Sequence, residues 1–145
     1  MAGITVGFDG SHSAQRALEW AMSEAAVRHA PLTVLTVHLV PASGWTGKPI
    51  ILPADAPELE KMRQAAEDAV AKVAAELGQP GAVAVIVRAV NGYPGEELIK
   101  ASDDADLVVV GARGMSAIGR LLLGSVSSEV MHHARCPVVL IRDAG

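Results

Sequence analysis

The sequence alternates short runs of Val, Ile and Leu with longer segments of helical period, and this alternation constrains the fold more than any other feature. In the first helical segment an apolar stripe recurs every three or four residues, and Ser11 or Ser13 can cap its start. The pattern predicts an α/β domain with a mostly parallel sheet and right-handed crossovers. The predicted strands are Ile4–Asp9, Leu32–Val40, Ala82–Val90, Asp106–Val110 and Pro137–Ile141, and the predicted helices cover Ala14 to Ala25, Glu58–Leu77, Pro94–Asp103 and Ser125–Ala134.

The composition agrees with a buried parallel sheet. Hydrophobic residues make up 50% of the chain and aromatic residues only 3%, so the core must consist of Val, Leu, Ile and Ala. Val and Ile suit strands that are covered on both faces, and Ala lets helices approach the sheet closely. The 145 residues are a usual size for one domain, and we expect a single domain over residues 1–145.

Charge and hydropathy argue against several classes of protein. The net charge is −4 and the sequence shows no basic face, so nucleic-acid binding by phosphate neutralisation is not expected. No apolar run approaches the ~20 residues that a membrane helix needs. The single cysteine, Cys136, excludes an internal disulfide and fits a reducing compartment. The N-terminus shows no signal-type segment, and we expect a cytoplasmic protein without membrane or nucleic-acid partners.

One segment shows neither an apolar run nor the helical period. Pro41 to Pro57 contains four prolines and two glycines, which neither helices nor strands tolerate well. We predict a long loop there. Loops of this length in compact domains usually serve as lids or binding loops, or are disordered.

The predicted architecture indicates where a ligand would bind. In open α/β sheets, ligands lie beyond the carboxyl ends of the strands, where the strand order reverses. The first strand ends in Gly7-Phe8-Asp9-Gly10-Ser11 and the fourth in Gly111-Ala112-Arg113-Gly114. If these two strands are neighbours, both loops line one crevice.

The segment from Gly111 to Val126 has features of an anion site. Glycine lets the backbone approach an anion, and Gly124-Ser125-Val126 opens a helix whose N–H groups favour phosphate. Ser125 can cap that helix and donate its hydroxyl. Arg113 and Arg120 are its only charged residues. From the residues alone, a polyphosphate site and a set of turn-forming glycines are both open. The spacing fits neither a Walker A loop nor the dinucleotide fingerprint.

Several motifs together resemble one family. The pattern of a glycine, two residues, a glycine, nine residues, then glycine and serine is filled by Gly111, Gly114, Gly124 and Ser125. With it, nearly the whole chain is similar to single-domain universal stress proteins of the ATP-binding subgroup. The other matching stretches are Val6–Ser11, Val37–Val40, Ala105–Gly111 and Cys136–Ile141.

The resemblance implies a fold and a set of site residues. It implies a Rossmann-like open five-stranded parallel sheet of order 3-2-1-4-5 with helices on both faces. Asp9 would contact the adenine or ribose, although an Asp there can also cap the following helix. Gly7 would let the first strand pass close to the nucleoside, and the backbone near Leu39 would meet the adenine. The residues expected around the ribose and phosphates are Gly111, Ala112, Arg113, Gly114, Met115, Ser116, Ala117, Gly124, Ser125 and Val126.

Two functional hypotheses remain open at this level. The sequence contains no Ser-His-acid set and no Gly-x-Ser-x-Gly elbow, and nothing near the glycines resembles a base that would activate water. The first hypothesis is an ATP-dependent stress sensor or regulator read by an unknown protein partner. The second is a slow ATPase or phosphotransferase. Asp9, the one nearby acid, is a candidate to hold Mg²⁺ through a phosphate. A phosphoacceptor receiver domain is disfavoured because Asp9 has no adjoining acid and Arg142, not lysine, follows Ile141.

The last predicted strand suggests an assembly. In the implied order Pro137–Ile141 would be an exposed apolar edge, and such edges tend to be paired or covered. Members of the family resembled here pair this strand across a two-fold axis. The sequence therefore predicts a homodimer through Pro137–Ile141.

Overall fold

The computed structural model describes residues 3–40, 55–78, 83–113 and 124–142. It confirms the predicted alternation of strands and helices. The strands are β1 (Ile4–Gly7), β2 (Leu32–Leu39), β3 (Val85–Gly92), β4 (Leu107–Gly111) and β5 (Val138–Ile141). The helices are α1 (His12–Arg28), α2 (Asp55–Leu77), α3 (Pro94–Ser102) and α4 (Ser125–His133).

The five strands form one parallel sheet of order β3-β2-β1-β4-β5, which confirms the expected topology. Val6 of β1 pairs with Val34 of β2 on one side and with Val109 of β4 on the other. The strand order reverses at β1, so β1 and β4 are the neighbours that the crevice requires.

Most predicted boundaries differ from the structure by one to three residues. β1 ends at Gly7 rather than Asp9, because Asp9 accepts a hydrogen bond from the Ser11 N–H and so begins the turn into α1. β3 covers Val85–Gly92, where Ala82–Val90 was predicted, and Ala82 lies outside the described residues. The predicted loop Pro41 to Pro57 is too long, because α2 already begins at Asp55. Pro57 lies in its first turn, where no intrahelical N–H bond is lost. Residues 41–54 lie outside the described part of the chain.

The core has two halves, one on each face of the sheet. On one face α1 and α2 bury a cluster that includes Val6, Leu18 and Val109. On the other face α3 and α4 cover Leu98, Val108 and Val130. The small residues Ala17, Ala21 and Ala25 of α1 are fully buried, which lets this helix lie close to the sheet as the composition predicted.

α2 is the longest described helix, and its outer face is charged. Arg63 pairs with Glu60 and with Glu67, one turn away in each direction. Such pairs on a solvated helix contribute little to stability, because water and salt screen them. No helix in the described ranges combines the length and apolarity needed to cross a membrane.

Candidate functional site

The carboxyl edge of the sheet has a step that forms a crevice. Gly7, the last residue of β1, is level with Leu35, yet β2 and β3 continue side by side to Leu39 and Gly92. At about 3.3 Å per residue, the end of β2 rises roughly 13 Å above Gly7. β2 and β3 thus form a wall, and the ends of β1 and β4 form a floor beside it. The loops that follow β1 and β4 start from this floor.

The turn after β1 is held by its own side chains. The Asp9 carboxylate accepts a hydrogen bond from the Ser11 N–H at 2.9 Å, and the Ser11 hydroxyl accepts one from the Ala14 N–H at 3.1 Å. Ser11 is therefore the N-cap of α1, which confirms one of the two predicted caps. Asp9 lies two residues before this N-cap. Its exposed carboxyl stands at the floor of the crevice, where the nucleoside contact was predicted.

The two ends of the glycine-rich segment are joined. The Gly124 N–H donates to the Ala112 carbonyl oxygen at 2.8 Å. The Ser127 hydroxyl lies 3.0 Å from both the Ala112 and the Gly124 carbonyl oxygens and donates to them. The Arg113 N–H donates to the Ser13 hydroxyl at 3.3 Å. Residues predicted from two distant parts of the sequence are thus brought together at the start of α1 and α4.

Gly111 and Gly7 are required for packing. A Cβ at Gly111 would lie 2.5 Å from Ser13 Oγ and 2.8 Å from the Ser13 carbonyl carbon, so β4 can pass α1 only without a side chain. A Cβ at Gly7 would lie 3.0 Å from a methyl group of Leu98 in α3. The absent Gly7 side chain therefore makes room for α3. The predicted role of Gly7, close passage of a nucleoside, stays a prediction beside this packing role.

The start of α4 differs from the prediction in one respect. Gly124, with an extended backbone, is the N-cap, and Ser125, the expected cap, is the first helical residue. Ser125 is exposed and presents its side chain at the helix start, next to the first-turn N–H groups that a helix leaves without intrahelical partners. The Gly124 N–H is already used by Ala112. The Val126 side chain packs on the core, so only its backbone can face a ligand at this point.

Leu39 is the exposed end of the wall. Its side chain is 62% exposed, unusual for a large apolar residue at the end of a buried strand. Such a surface suits a flat, largely apolar group such as a nucleobase. The predicted residues Gly114, Met115, Ser116 and Ala117 lie outside the described ranges. Within those ranges, no group of three or more His, Cys, Asp or Glu side chains could hold a metal ion.

Cys136 lies away from the crevice, just before the amino end of β5. It is half-buried against the α3–α4 side of the core. Burial raises the pKa of the thiol, the charge of Asp106 acts in the same direction, and a backbone hydrogen bond at Val108 opposes both. The thiol is therefore protonated near neutral pH and is a weak nucleophile.

The sequence profile of the Universal stress protein family matches residues 2–142. The chain belongs to this family. It is 37% identical over 139 residues to a universal stress protein of Mycolicibacterium smegmatis, covering 96% of this chain and 47% of that protein. The chain thus spans about half the length of the mycobacterial relatives it matches. A universal stress protein of Thermus aquaticus is 36% identical over 141 residues, 97% of its own length.

Solved universal stress protein structures share the fold. The protein from Lactobacillus plantarum superposes with a TM-score of 0.73 at 29% identity, covering 96% of both chains. A universal stress protein in complex with cAMP has a TM-score of 0.67 at 30% identity, covering 96% of this chain and 94% of that one. The Archaeoglobus fulgidus protein in complex with dAMP has a TM-score of 0.65 at 26% identity, covering 96% of each chain. Relatives with this fold therefore bind adenine nucleotides.

Two residues at the crevice were not predicted as part of it. Ser13 was considered only as a helix cap, and Ser127 was not singled out. Both are buried and both bond backbone atoms of the glycine-rich segment. A serine in the first turn of a helix is a weak signal, because capping and solvation are its common uses.

Proposed function

We propose that this universal stress protein binds ATP in the crevice between the ends of β1, β2 and β4. The observation that carries the proposal is the joined glycine-rich segment, in which the Gly124 N–H bonds the Ala112 carbonyl and so holds the start of α4 beside the end of β4. The adenine nucleotides bound by two relatives of the same fold support it. The glycine-and-serine spacing favours ATP among the adenine nucleotides.

Each described part of the crevice suits a different part of ATP. The exposed Leu39 and the backbone beside it offer an apolar edge to adenine. The carboxylate of Asp9 can accept hydrogen bonds from the ribose or an adenine amine. The first-turn N–H groups of α4 and the hydroxyl of Ser125 would hold phosphate oxygens. Arg113 adds a positive charge at the end of β4, and a Mg²⁺ ion would enter with the phosphates near Asp9.

The proposed role is that of a nucleotide-dependent sensor rather than an efficient enzyme. ATP would favour the ordered arrangement of the residues that contact it, by binding that state more tightly than others. A protein partner would then recognise that state. The sequence places Asp9 as the one acid near the glycine-rich segment, and its carboxylate already holds the Ser11 N–H. Binding is thus better supported than hydrolysis.

We expect the purified protein to carry or take up ATP. Denaturing it and separating the released nucleotides by chromatography should yield up to one ATP per chain after incubation with Mg²⁺ and ATP. GTP and CTP at the same concentration are the controls, because a nucleobase-specific site discriminates among them. Absence of bound ATP both as purified and after incubation would refute the proposal. Stoichiometric conversion of the ATP to ADP, above the rate in buffer, would instead favour the slow ATPase.

We also propose that the protein forms a homodimer through β5. β5 is an edge strand of the sheet and consists of Val138, Val139, Leu140 and Ile141, all partly exposed. Pairing this strand with its copy across a two-fold axis would cover the edge. Light scattering at micromolar concentration should give twice the 15.0 kDa chain mass. A Val139→Lys variant should be monomeric, and a monomeric mass for the unmodified chain would contradict the homodimer.

A further inference from the structure

We infer that Ser127 and Ser13 are positioning residues for phosphate recognition: their hydroxyls fix the two ends of the glycine-rich segment relative to the start of α4. The inference rests on the proposed ATP site. Neither residue is assigned to contact the nucleotide. Each instead sets the direction of backbone groups that the phosphates would meet.

Ser127 holds the segment together from its α4 end. It is 2% exposed, and its single hydroxyl proton is shared between the carbonyl oxygens of Ala112 and Gly124. The Ala112 carbonyl therefore receives two donors, this hydroxyl and the Gly124 N–H. The Ser127 hydroxyl thereby holds the end of β4 and the N-cap of α4 together.

Ser13 holds the same segment from the side of α1. It is buried, and its hydroxyl accepts the Arg113 N–H. Ser13 belongs to the first turn of α1, which Ser11 caps and Asp9 supports. The first turn of α1 is thus bonded at its start to Asp9 and through Ser13 to the segment that leads to α4. The residues proposed to contact the nucleoside and those proposed to contact the phosphates are thereby held in fixed relative positions.

Loss of the Ser127 hydroxyl should act on phosphate binding in particular. A carbonyl that loses one of its two donors is held less firmly. Because little water reaches this buried site to replace the lost donor, the carbonyl can reorient. The direction of the Gly124 backbone would then vary, and with it the first-turn N–H groups of α4. The apolar edge at Leu39 lies on β2 and depends on neither serine. Binding of the adenine and ribose should therefore persist.

The test compares ATP with adenosine on the full chain. Calorimetric titration gives the ratio of the two affinities, which isolates the contribution of the phosphates. Ser127→Ala should lower this ratio about tenfold, the size expected for a buried hydrogen bond worth roughly 1.4 kcal/mol. Ser102→Ala is the matched control. Ser102 is also 2% exposed, and its hydroxyl donates to the Ile99 carbonyl and accepts the Arg135 N–H at the far end of α3.

The outcomes separate the inference from the function on which it rests. A lowered ratio in Ser127→Ala together with an unchanged ratio in Ser102→Ala, at similar losses of thermal stability, supports positioning. An unchanged ratio in a folded Ser127→Ala variant overturns it and leaves ATP binding intact. If Ser127→Ala does not fold, Ser13→Ala decides by the same criterion. If the unmodified chain binds no ATP, the proposed function fails first and the inference fails with it.

Discussion

Replacing Gly111 with alanine should lower the free energy of unfolding by about 2 kcal/mol and reduce ATP affinity at least about tenfold. The new Cβ would lie 2.5 Å from Ser13 Oγ and 2.8 Å from both the carbonyl carbon and oxygen of Ser13. Two of these three atoms are backbone of α1, which cannot turn aside as a flexible side chain can. Relieving the clash moves Ser13 away from β4 and breaks its bond to the Arg113 N–H. Thermal unfolding should shift by about 6 °C, at roughly 3 °C per kcal/mol for this size.

Gly7→Ala is the control for the same substitution on the neighbouring strand. Its Cβ would meet only the end of the Leu98 side chain, at 3.0 Å, and a leucine methyl can move by a few tenths of an ångström. Neither glycine is among the described residues with positive φ, so alanine is allowed by the backbone at both positions. We expect Gly7→Ala to lose less than half as much stability. Equal losses for the two variants would show that close packing of β4 on α1 is not what Gly111 provides.

Replacing Leu18 with alanine should lower the free energy of unfolding by about 3 kcal/mol, within the range of 2–5 found for buried leucines. Leu18 is fully buried in the middle of α1, in the cluster that also contains Val6 and Val109. The substitution removes apolar contacts and leaves a cavity where helix and sheet meet. Urea unfolding followed by circular dichroism measures the change.

Val27→Ala on the same helix is the matched control. Val27 is 75% exposed, so its truncation removes little buried surface and should change stability by less than about 0.5 kcal/mol. Because ATP binds at the opposite end of α1, by the proposed function, neither variant should change the ATP-to-adenosine affinity ratio while folded. A loss at Val27 as large as that at Leu18 would contradict the assignment of the inner face of α1.

The parts of the fold that depend on periodicity could be predicted from the sequence. The strands are short runs rich in Val, Ile and Leu, and Ala17, Leu18, Ala21 and Ala25 face the core as the helical period requires. The order β3-β2-β1-β4-β5 could not be obtained from periodicity, because residues that pair across strands are far apart in sequence. It followed from the family resemblance, and the structure confirms it.

Several details of the site could not be predicted from local sequence patterns, because they arise from contacts between residues that are distant in the sequence. Ser125 was expected to cap α4, but Gly124 takes that place because its N–H reaches back to Ala112. A Cβ at Gly7 would meet Leu98, a packing reason for glycine that the sequence did not indicate. Ser13 and Ser127 bond to residues 100 and 15 positions away, so their roles become visible only when β1 and β4 lie side by side. Asp9 is exposed directly after β1, and its contact with a nucleoside stays a prediction.

A crystal structure of the protein grown with ATP and Mg²⁺ tests the central claim most directly. The account predicts one ATP per chain in the crevice, with adenine beside Leu39 and the end of β2. The phosphates should accept hydrogen bonds from the Ser125 hydroxyl and the first-turn N–H groups of α4, while Ser127 still bonds the Ala112 carbonyl. ATP bound elsewhere, or a crevice without nucleotide at saturating ATP, would contradict it.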